Sequence, residues 1–170
     1  NSLQSGFVYD DIGVIEDNYF IRSLQNVPKI FSRNYFHLAN ELSYRPVVTL
    51  SYFLDCAIWR LNPFGYHLTN VILHTINCFL LYAVVLRLVR MRSVALLSAI
   101  LFSIHPCVTE AVNAISYRED ILATLFIFLS CLCLILSGKK VYYALALLSY
   151  LLSLFSKETA IGMPLFILLY

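Results

Sequence analysis

Charge is scarce in this chain. Of its 170 residues, 13% are charged, against roughly a quarter in ordinary soluble domains. Sixty per cent are hydrophobic, and the mean hydropathy is +0.76. A soluble protein of this size cannot hide that much apolar surface, because too much of its area must face water. A bilayer removes the difficulty, so the composition predicts an integral membrane protein. The small net charge of +2 and the apolar character exclude nucleic-acid binding.

Other absences narrow the chemistry. Five cysteines, Cys56, Cys78, Cys107, Cys131 and Cys133, make an odd set without Cys-x-x-Cys spacing. They form neither a disulfide framework nor a zinc signature. No Asn-x-Ser/Thr sequon occurs. The His-Glu-x-x-His pattern of zinc hydrolases is missing, which argues against a metal held by His67, His74 and His105. The calcium-loop pattern is missing as well. The chain starts with Asn1, shows no charged head before an apolar core, and stops inside the apolar run after Pro164. The expectation is an internal piece of a longer protein.

What is present divides at about residue 65. Residues 1–65 are mixed in polarity and are expected to form a loop outside the cytoplasm with short interfacial helices. One follows Pro28. A second, Val47 to Trp59, carries Val47, Leu50, Leu54 and Ile58 at helical spacing, with Tyr52 and Trp59 as interfacial rings. Asn62-Pro63-Phe64-Gly65 reads as the turn that ends it. Residues 66–170 are expected to form a bundle of about five spans: Tyr66–Leu86, Val94–Ile104, Ile121–Leu136, Val141–Phe155, and a fifth beginning near Ala160. Three of them are shorter than the ~20 residues a span usually needs. The fold class is thus an all-α polytopic membrane helix bundle.

Charge placement is an independent check. Four crossings put Arg87, Arg90 and Arg92 on the side of Lys139 and Lys140, which the positive-inside tendency makes cytoplasmic. The ten acids, Asp10, Asp11, Glu16, Asp17, Glu41, Asp55, Glu110, Glu119, Asp120 and Glu158, then share the other face.

That face collects groups able to do chemistry. Asp10-Asp11 lies between aromatic and aliphatic neighbours; spacing alone fits a solvated turn as well as a pair of reactive carboxylates. His67, Asn70, His74 and Asn77 follow at steps of three, four and three along one helical face. For His74 and Asn77, cross-helix hydrogen bonding is the simpler role; for His67 and Asn70, nearer the surface, a site role stands beside it. Between His105 and Asp120, Pro106 breaks a helix, Ser116 is placed to cap the next, and Glu119 and Asp120 suit its positive end. Arg118, at the mouth of the bundle, suits a phosphate, with an ion pair to a neighbouring acid as the competing role. Lys157-Glu158 reads as a surface pair or as part of the same site.

Six phrases occur in order: Phe7-Val-Tyr-Asp-Asp11, Ser43-Tyr-Arg-Pro-Val-Val-Thr-Leu50, Asn62-Pro-Phe-Gly-Tyr-His-Leu-Thr-Asn70, His105-Pro-x-x-Thr-Glu-Ala-Val112, Arg118-Glu-Asp-Ile-Leu-Ala123 and Ser156-Lys-Glu158. Together they resemble the membrane part of the transmembrane-and-tetratricopeptide-repeat proteins, of the GT-C superfamily of glycosyltransferases that use lipid-linked sugars. The resemblance covers nearly the whole chain and favours the bacterial branch. It implies a GT-C-like fold and transfer of a mannose-like hexose, with inversion, from a polyprenyl-phosphate donor to a hydroxyl of a protein or glycan. Asp10 or Asp11 would be the general base. Arg45, Arg118 and Lys157 would hold the lipid phosphate, and His67, Asn70, His105 and Glu110 would line the sugar pocket. No cofactor is required, although a divalent metal on the acids is compatible with the pattern. The site would face the bacterial periplasm or, for the eukaryotic relatives, the lumen of the endoplasmic reticulum. The repeats that the resemblance implies lie outside these 170 residues. The readings from other classes are a transporter or channel using the intramembrane polar groups, and a non-catalytic membrane anchor for a repeat scaffold.

Overall fold

The computed structural model describes residues 2–39, 43–136 and 138–164. Glu41, one of the ten acids, and the far end of the fifth expected span lie outside the described residues. Among the described residues every regular element is helical, as an all-α class requires. The α-helices are α1 (Tyr35–Ala39), α2 (Pro46–Trp59), α3 (Pro63–Val89), α4 (Arg92–Ile104), α5 (Pro106–Asn113), α6 (Arg118–Ile135) and α7 (Lys140–Leu154). Short 3-10 turns cover Tyr19–Arg22, Leu24–Phe31, Ile115–Tyr117 and Glu158–Gly162, and a π-helical turn covers Ile12–Glu16.

The long helices pack side by side in the order α4, α3, α6, α7. Hydrogen bonds between them fix their directions. His74 on α3 meets the Ser103 carbonyl near the end of α4, at 3.4 Å. The Asn77 amide donates to Ile121 O at the start of α6, at 3.0 Å. Ser130 on α6 donates to Ala146 O on α7, at 2.9 Å. His74 and Asn77 therefore make the cross-helix bonds foreseen for them. The alternation carries Arg87, Arg90 and Arg92, with Lys139 and Lys140, to one end of the bundle. The N-terminal segment, α5 and the 158–162 turn lie at the other.

Several boundaries have clear local causes. α3 begins at Pro63, not at Tyr66: Asn62 caps it by accepting from the Phe64 N–H at 3.2 Å, and Pro63 fills the first position, where no amide is needed. The Asn-Pro pair thus starts α3, whereas α2 ends at Arg60, whose φ of 56° turns the chain. Gly65 is required there, because a Cβ would run into the Trp59 ring. His105-Pro106 bends α4 into α5 by 53°. α3 alone is long and apolar enough to cross a membrane among the described residues, and α4 with α5 meets the same test only as one bent unit.

The N-terminal region is more ordered than an interfacial loop. Ile15, Phe20, Ile21, Ile30 and Tyr35 bury against Val48, Tyr52 and Phe53 of α2. Asn18 ties this cap together: its carbonyl oxygen accepts from Phe20 N–H, and its amide donates to Val14 O and Ala39 O. α2 consequently has a second, packed face, and Tyr52, expected as an interfacial ring, lies on it. The stripe of Leu50, Leu54 and Ile58 is exposed, while Tyr52, Phe53 and Asp55 are buried. The helix is apolar on most sides, so periodicity selected the outward face and missed the one that packs. After Pro28 the chain forms no single helix; Pro28 sits inside the 3-10 turn, and α1 follows separately.

Candidate functional site

The two adjacent acids have opposite environments. Asp11 is fully buried. Its Oδ1 accepts from the Ser116 N–H at 2.7 Å and its Oδ2 from the Val8 N–H at 3.3 Å. It therefore clamps the N-terminal segment to the turn before α6. Ser116 supplies this backbone donor and does not cap α6, whose N-cap is Tyr117 without a side-chain bond. Asp10 is exposed. Tyr9 precedes it with a φ of 49°, in the left-handed region that non-glycine residues seldom occupy. That turn, closed by Asp11 N–H to Val8 O, sets Tyr9 and Asp10 outward.

Three cavities meet here. The first, of about 460 Å³, is lined by Asp10, Arg45, Tyr52, Ser116, Tyr117 and Glu119 among others. The second, an outer groove of about 810 Å³, is bounded by Tyr9, Asp10, Thr109, Glu110, Asn113 and Tyr117. The third, of about 390 Å³, lies between α3, the α4–α5 bend and α6. Asp10 lines the first two, Glu110 the second and third, and Tyr117 all three.

The cations divide into two groups. Arg118 is completely buried. Nη1 pairs with Asp55 Oδ2 at 2.6 Å, Nε donates to Asn70 Oδ1 at 2.7 Å, Nη2 donates to Tyr66 O at 3.0 Å, and Nη1 also reaches Ser51 Oγ at 3.3 Å. Its guanidinium carbon lies 4.9 Å from the Tyr52 ring centre. Arg118 is thus occupied on every side by α2 and α3, and the phosphate role expected of it is corrected to a structural one. The acid that claims it is Asp55, far away in sequence and close only once α2 lies beside α6. Asn70 belongs to the same hub: besides serving Arg118, its amide donates to Ala114 O at 3.3 Å. It holds the site together and does not line these three cavities.

Arg45 and Lys157 sit at the rim, each with a side chain about one-fifth exposed. Arg45 pairs with Glu119, and with Glu158 at 3.1 Å. Lys157 Nζ lies 3.0 Å from Glu119 and 2.7 Å from Asp120. Two cations thus face three carboxylates. Burial works against the Lys157 charge, but hydrogen bonds and Coulomb attraction from Asp120 and Glu119 outweigh it and raise the ammonium above its ordinary value. Glu158 is held below the usual carboxylate range by its own backbone N–H and by Arg45.

His67 is fully buried, and among the described residues its ring nitrogens make no hydrogen bond of full geometry; the Asp11 carboxylate and the Ser5–Gly6 backbone are the nearby polar groups. His105 is exposed at the α4–α5 bend and lines none of the three cavities. The expected pocket of His67, Asn70, His105 and Glu110 therefore does not form as a unit. Glu110 is the member that opens on a cavity. Two participants went unnoticed in the sequence, Asp55 and Tyr117. Nothing in local spacing marks either one. Among the described residues no group of three or more His, Cys, Asp or Glu side chains is arranged to hold a metal ion.

The chain is 36% identical over 140 residues to human "Protein O-mannosyl-transferase TMTC2", which covers 79% of this chain and 17% of that protein. It is 32% identical over 164 residues to "Protein O-mannosyl-transferase F38B6.6" of Caenorhabditis elegans, covering 92% of this chain and 24% of the relative. It is 31% identical over 163 residues to "Protein O-mannosyl-transferase Tmtc1" of Drosophila melanogaster, covering 93% and 17%. Its homologues are TMTC-family protein O-mannosyl-transferases. The chain spans between about a sixth and a quarter of the length of these TMTC relatives. They are animal proteins, and they give no support to the bacterial branch or to a bacterial inner membrane. No family model matches the chain, and no solved structure matches it.

Proposed function

We propose that this chain forms the substrate-facing end of a membrane protein O-mannosyl-transferase, with Asp10 as general base. One observation carries the residue assignment: Asp10 opens on two joined cavities, whereas its neighbour Asp11 is sealed and committed to two backbone amides. A base must reach the proton it takes. The names of the TMTC relatives support mannose as the sugar and a protein as the acceptor.

In this reading the donor is a polyprenyl-phosphate mannose. The Asp10 carboxylate takes the proton of an acceptor hydroxyl as that oxygen attacks the anomeric carbon. The bond from this carbon to the phosphate oxygen breaks, and its electron pair leaves with the polyprenyl phosphate. Attack from the opposite face inverts the configuration. The growing negative charge needs cations nearby, and Arg45 and Lys157 supply them. Glu158, exposed and tied through Arg45, is the carboxylate that a phosphate displaces. The step calls for no cofactor, and a divalent metal beside Asp10 is compatible with it. The rim faces the lumen of the endoplasmic reticulum, and the Arg87–Arg92 and Lys139–Lys140 end faces the cytoplasm.

The test is transfer of labelled mannose from a polyprenyl-phosphate donor to protein by the intact membrane protein. Asp10→Asn is expected to lower the rate by about 10²–10⁴-fold, the usual worth of a general base, without loss of folded protein. Full activity in Asp10→Asn removes the assignment. Solute flux through liposomes without sugar transfer would favour the transporter reading instead.

A further inference from the structure

The end of the bundle opposite the candidate site carries an unbalanced charge. Arg87, Arg90, Arg92, Lys139 and Lys140 are all exposed there. The sequence holds no Asp or Glu between Asp55 and Glu110, or between Asp120 and Glu158. Among the described residues none of the five cations makes an ion pair. Helix pairing brings them together. α3 and α6 run in the same direction and meet where Asn77 donates to Ile121 O. From that bond, Asn77 to Arg90 and Ile121 to Ile135 each cover about 20 Å along the axis. The turns after α3 and after α6 therefore stand at one level on adjacent helices. α3 has 27 residues and measures about 40 Å, close to the roughly 40–45 Å that separates the outer limits of the two headgroup layers. A bilayer crossed by α3 thus puts these cations at the depth of the lipid phosphates. Tyr142 and Tyr143, directly after Lys140, are the ring type enriched at that depth.

A topological signal asks only for positive charge, and this end has more than that. Helix stability argues against three of the five positions. Arg92 opens α4, and Lys139 and Lys140 open α7, where the positive end of a helix repels a cation. The turn between α3 and α4 uses arginine three times, and Leu88, Val89 and Met91 lie among them, also exposed. Arg90 has a φ of 60° and closes α3 with its N–H on Leu86 O, a place where glycine is usual. A guanidinium takes two phosphate oxygens at once. The apolar neighbours suit a site that dips into the acyl boundary. The fitting ligand therefore joins an anion to a hydrocarbon chain, and dissolved phosphate supplies only the first. Groups of roughly four to eight cations just cytoplasmic of a span are the usual footprint of acidic lipid.

We propose that this collar binds the headgroups of anionic phospholipids in the cytoplasmic leaflet, the three arginines holding headgroup phosphate and the two lysines adding charge. The inference rests on the orientation given with the transferase reading above. Lipid held there fixes the depth of α3 in the bilayer, and with it the height of the site at the other end. The intact protein is reconstituted in phosphatidylcholine vesicles with a trace of spin-labelled phosphatidylinositol, phosphatidylserine or phosphatidylcholine. Electron paramagnetic resonance reads the motionally restricted fraction of each label. The anionic labels should be held at least about threefold more strongly than the zwitterionic one at low salt. That preference should shrink as the screening length falls from about 10 Å at 0.1 M to about 3 Å at 1 M. Arg87→Gln with Arg90→Gln and Arg92→Gln should remove most of it. Loss of charge can invert a topology, so Arg87→Lys with Arg90→Lys and Arg92→Lys is the second variant. It keeps the sign and should still lose about half of the preference, because an ammonium lacks the fork. Equal restriction of all three labels, or a preference unchanged in both variants, overturns the collar and leaves the transferase reading standing. Abolition of the preference by excess inorganic phosphate at constant ionic strength assigns the cluster to a free anion and overturns the lipid site. An impermeant thiol reagent that cannot reach a Ser93→Cys variant from the cytoplasmic side of sealed microsomes overturns the orientation, and the collar with it.

Discussion

Two groups of opposite charges lie next to each other at one end of this bundle, and they differ in kind. In the hub, Arg118 is enclosed by Asp55, Asn70, Ser51 and the Tyr66 carbonyl, with no water-facing surface. At the rim, Arg45 and Lys157 share Glu119, Asp120 and Glu158 and keep part of their surface in solvent. A fully buried guanidinium with four of its five donors engaged fixes helices and has no open face for a ligand. Ion pairs in contact with solvent exchange partners cheaply. The same charge type therefore builds a sealed frame in one place and solvent-contacting pairs in the other.

The largest expected effect tests the hub. Arg118→Ala leaves Asp55 buried without a counter-charge, which costs roughly 3–5 kcal/mol. Thermal denaturation of the detergent-solubilised protein should show it. Arg118→Lys should recover little, because an ammonium lacks the fork that serves four partners. Replacing both partners with apolar residues, Arg118→Met with Asp55→Leu, should recover much of the loss. A single alanine variant as stable as the wild type would erase the distinction between hub and rim.

Next come the neighbouring acids. Asp11→Ala leaves two backbone amides without their acceptor, a loss of about 1–3 kcal/mol, and should open residues 8–16 to limited proteolysis. Asp10→Ala, at an exposed position, should shift stability by no more than about 0.5 kcal/mol. Equal protease sensitivity in the two variants would contradict their opposite burial.

The rim gives the smallest signals. Glu158→Gln should cost no more than about 1 kcal/mol. That difference should fade as salt shortens the screening length from about 10 Å at 0.1 M to about 3 Å at 1 M. The hub penalty should not fade. With pH the sign follows from Lys157, whose folded value is raised. Its stabilisation is complete below the ordinary lysine value and is lost as pH rises through the higher folded value. The stability gap between wild type and Lys157→Met should therefore persist past the ordinary lysine range and close only in stronger alkali. Glu158 acts at the other extreme. Its folded value is lowered, so its contribution is present above the ordinary glutamate value and disappears as pH falls through the depressed one.

Much of the helical architecture could be read from hydropathy. The starts and ends of α4 and α7 fall within two residues of the expected limits, because apolar runs bounded by Arg92, Pro106 and Lys140 leave little choice. α3 and α6 each began three residues earlier than expected, where Pro63 and Arg118 enter the first turn. Among the described residues the acids also gather at one end, where the alternating direction of the long helices was expected to put them. The partners could not be read. Arg118 has two acids immediately after it in sequence, yet its counter-charge is Asp55, supplied by tertiary packing of α2. Asp10 and Asp11 are chemically identical and adjacent, and a left-handed residue at Tyr9 separates their fates. Tyr117 has no motif, and its place among three cavities is a property of the folded chain alone.

The Asp55–Arg118 link also bears on how the molecule is made. A ribosome delivers α2 before α6, so Asp55 first appears as a bare carboxylate on an otherwise oily helix. That carboxylate is costly to bury without its counter-charge, so α2 is expected to dock only once Arg118 has been made. A chain stopped before α6 should therefore leave α2 open to protease, which sets the order in which this end of the molecule is completed.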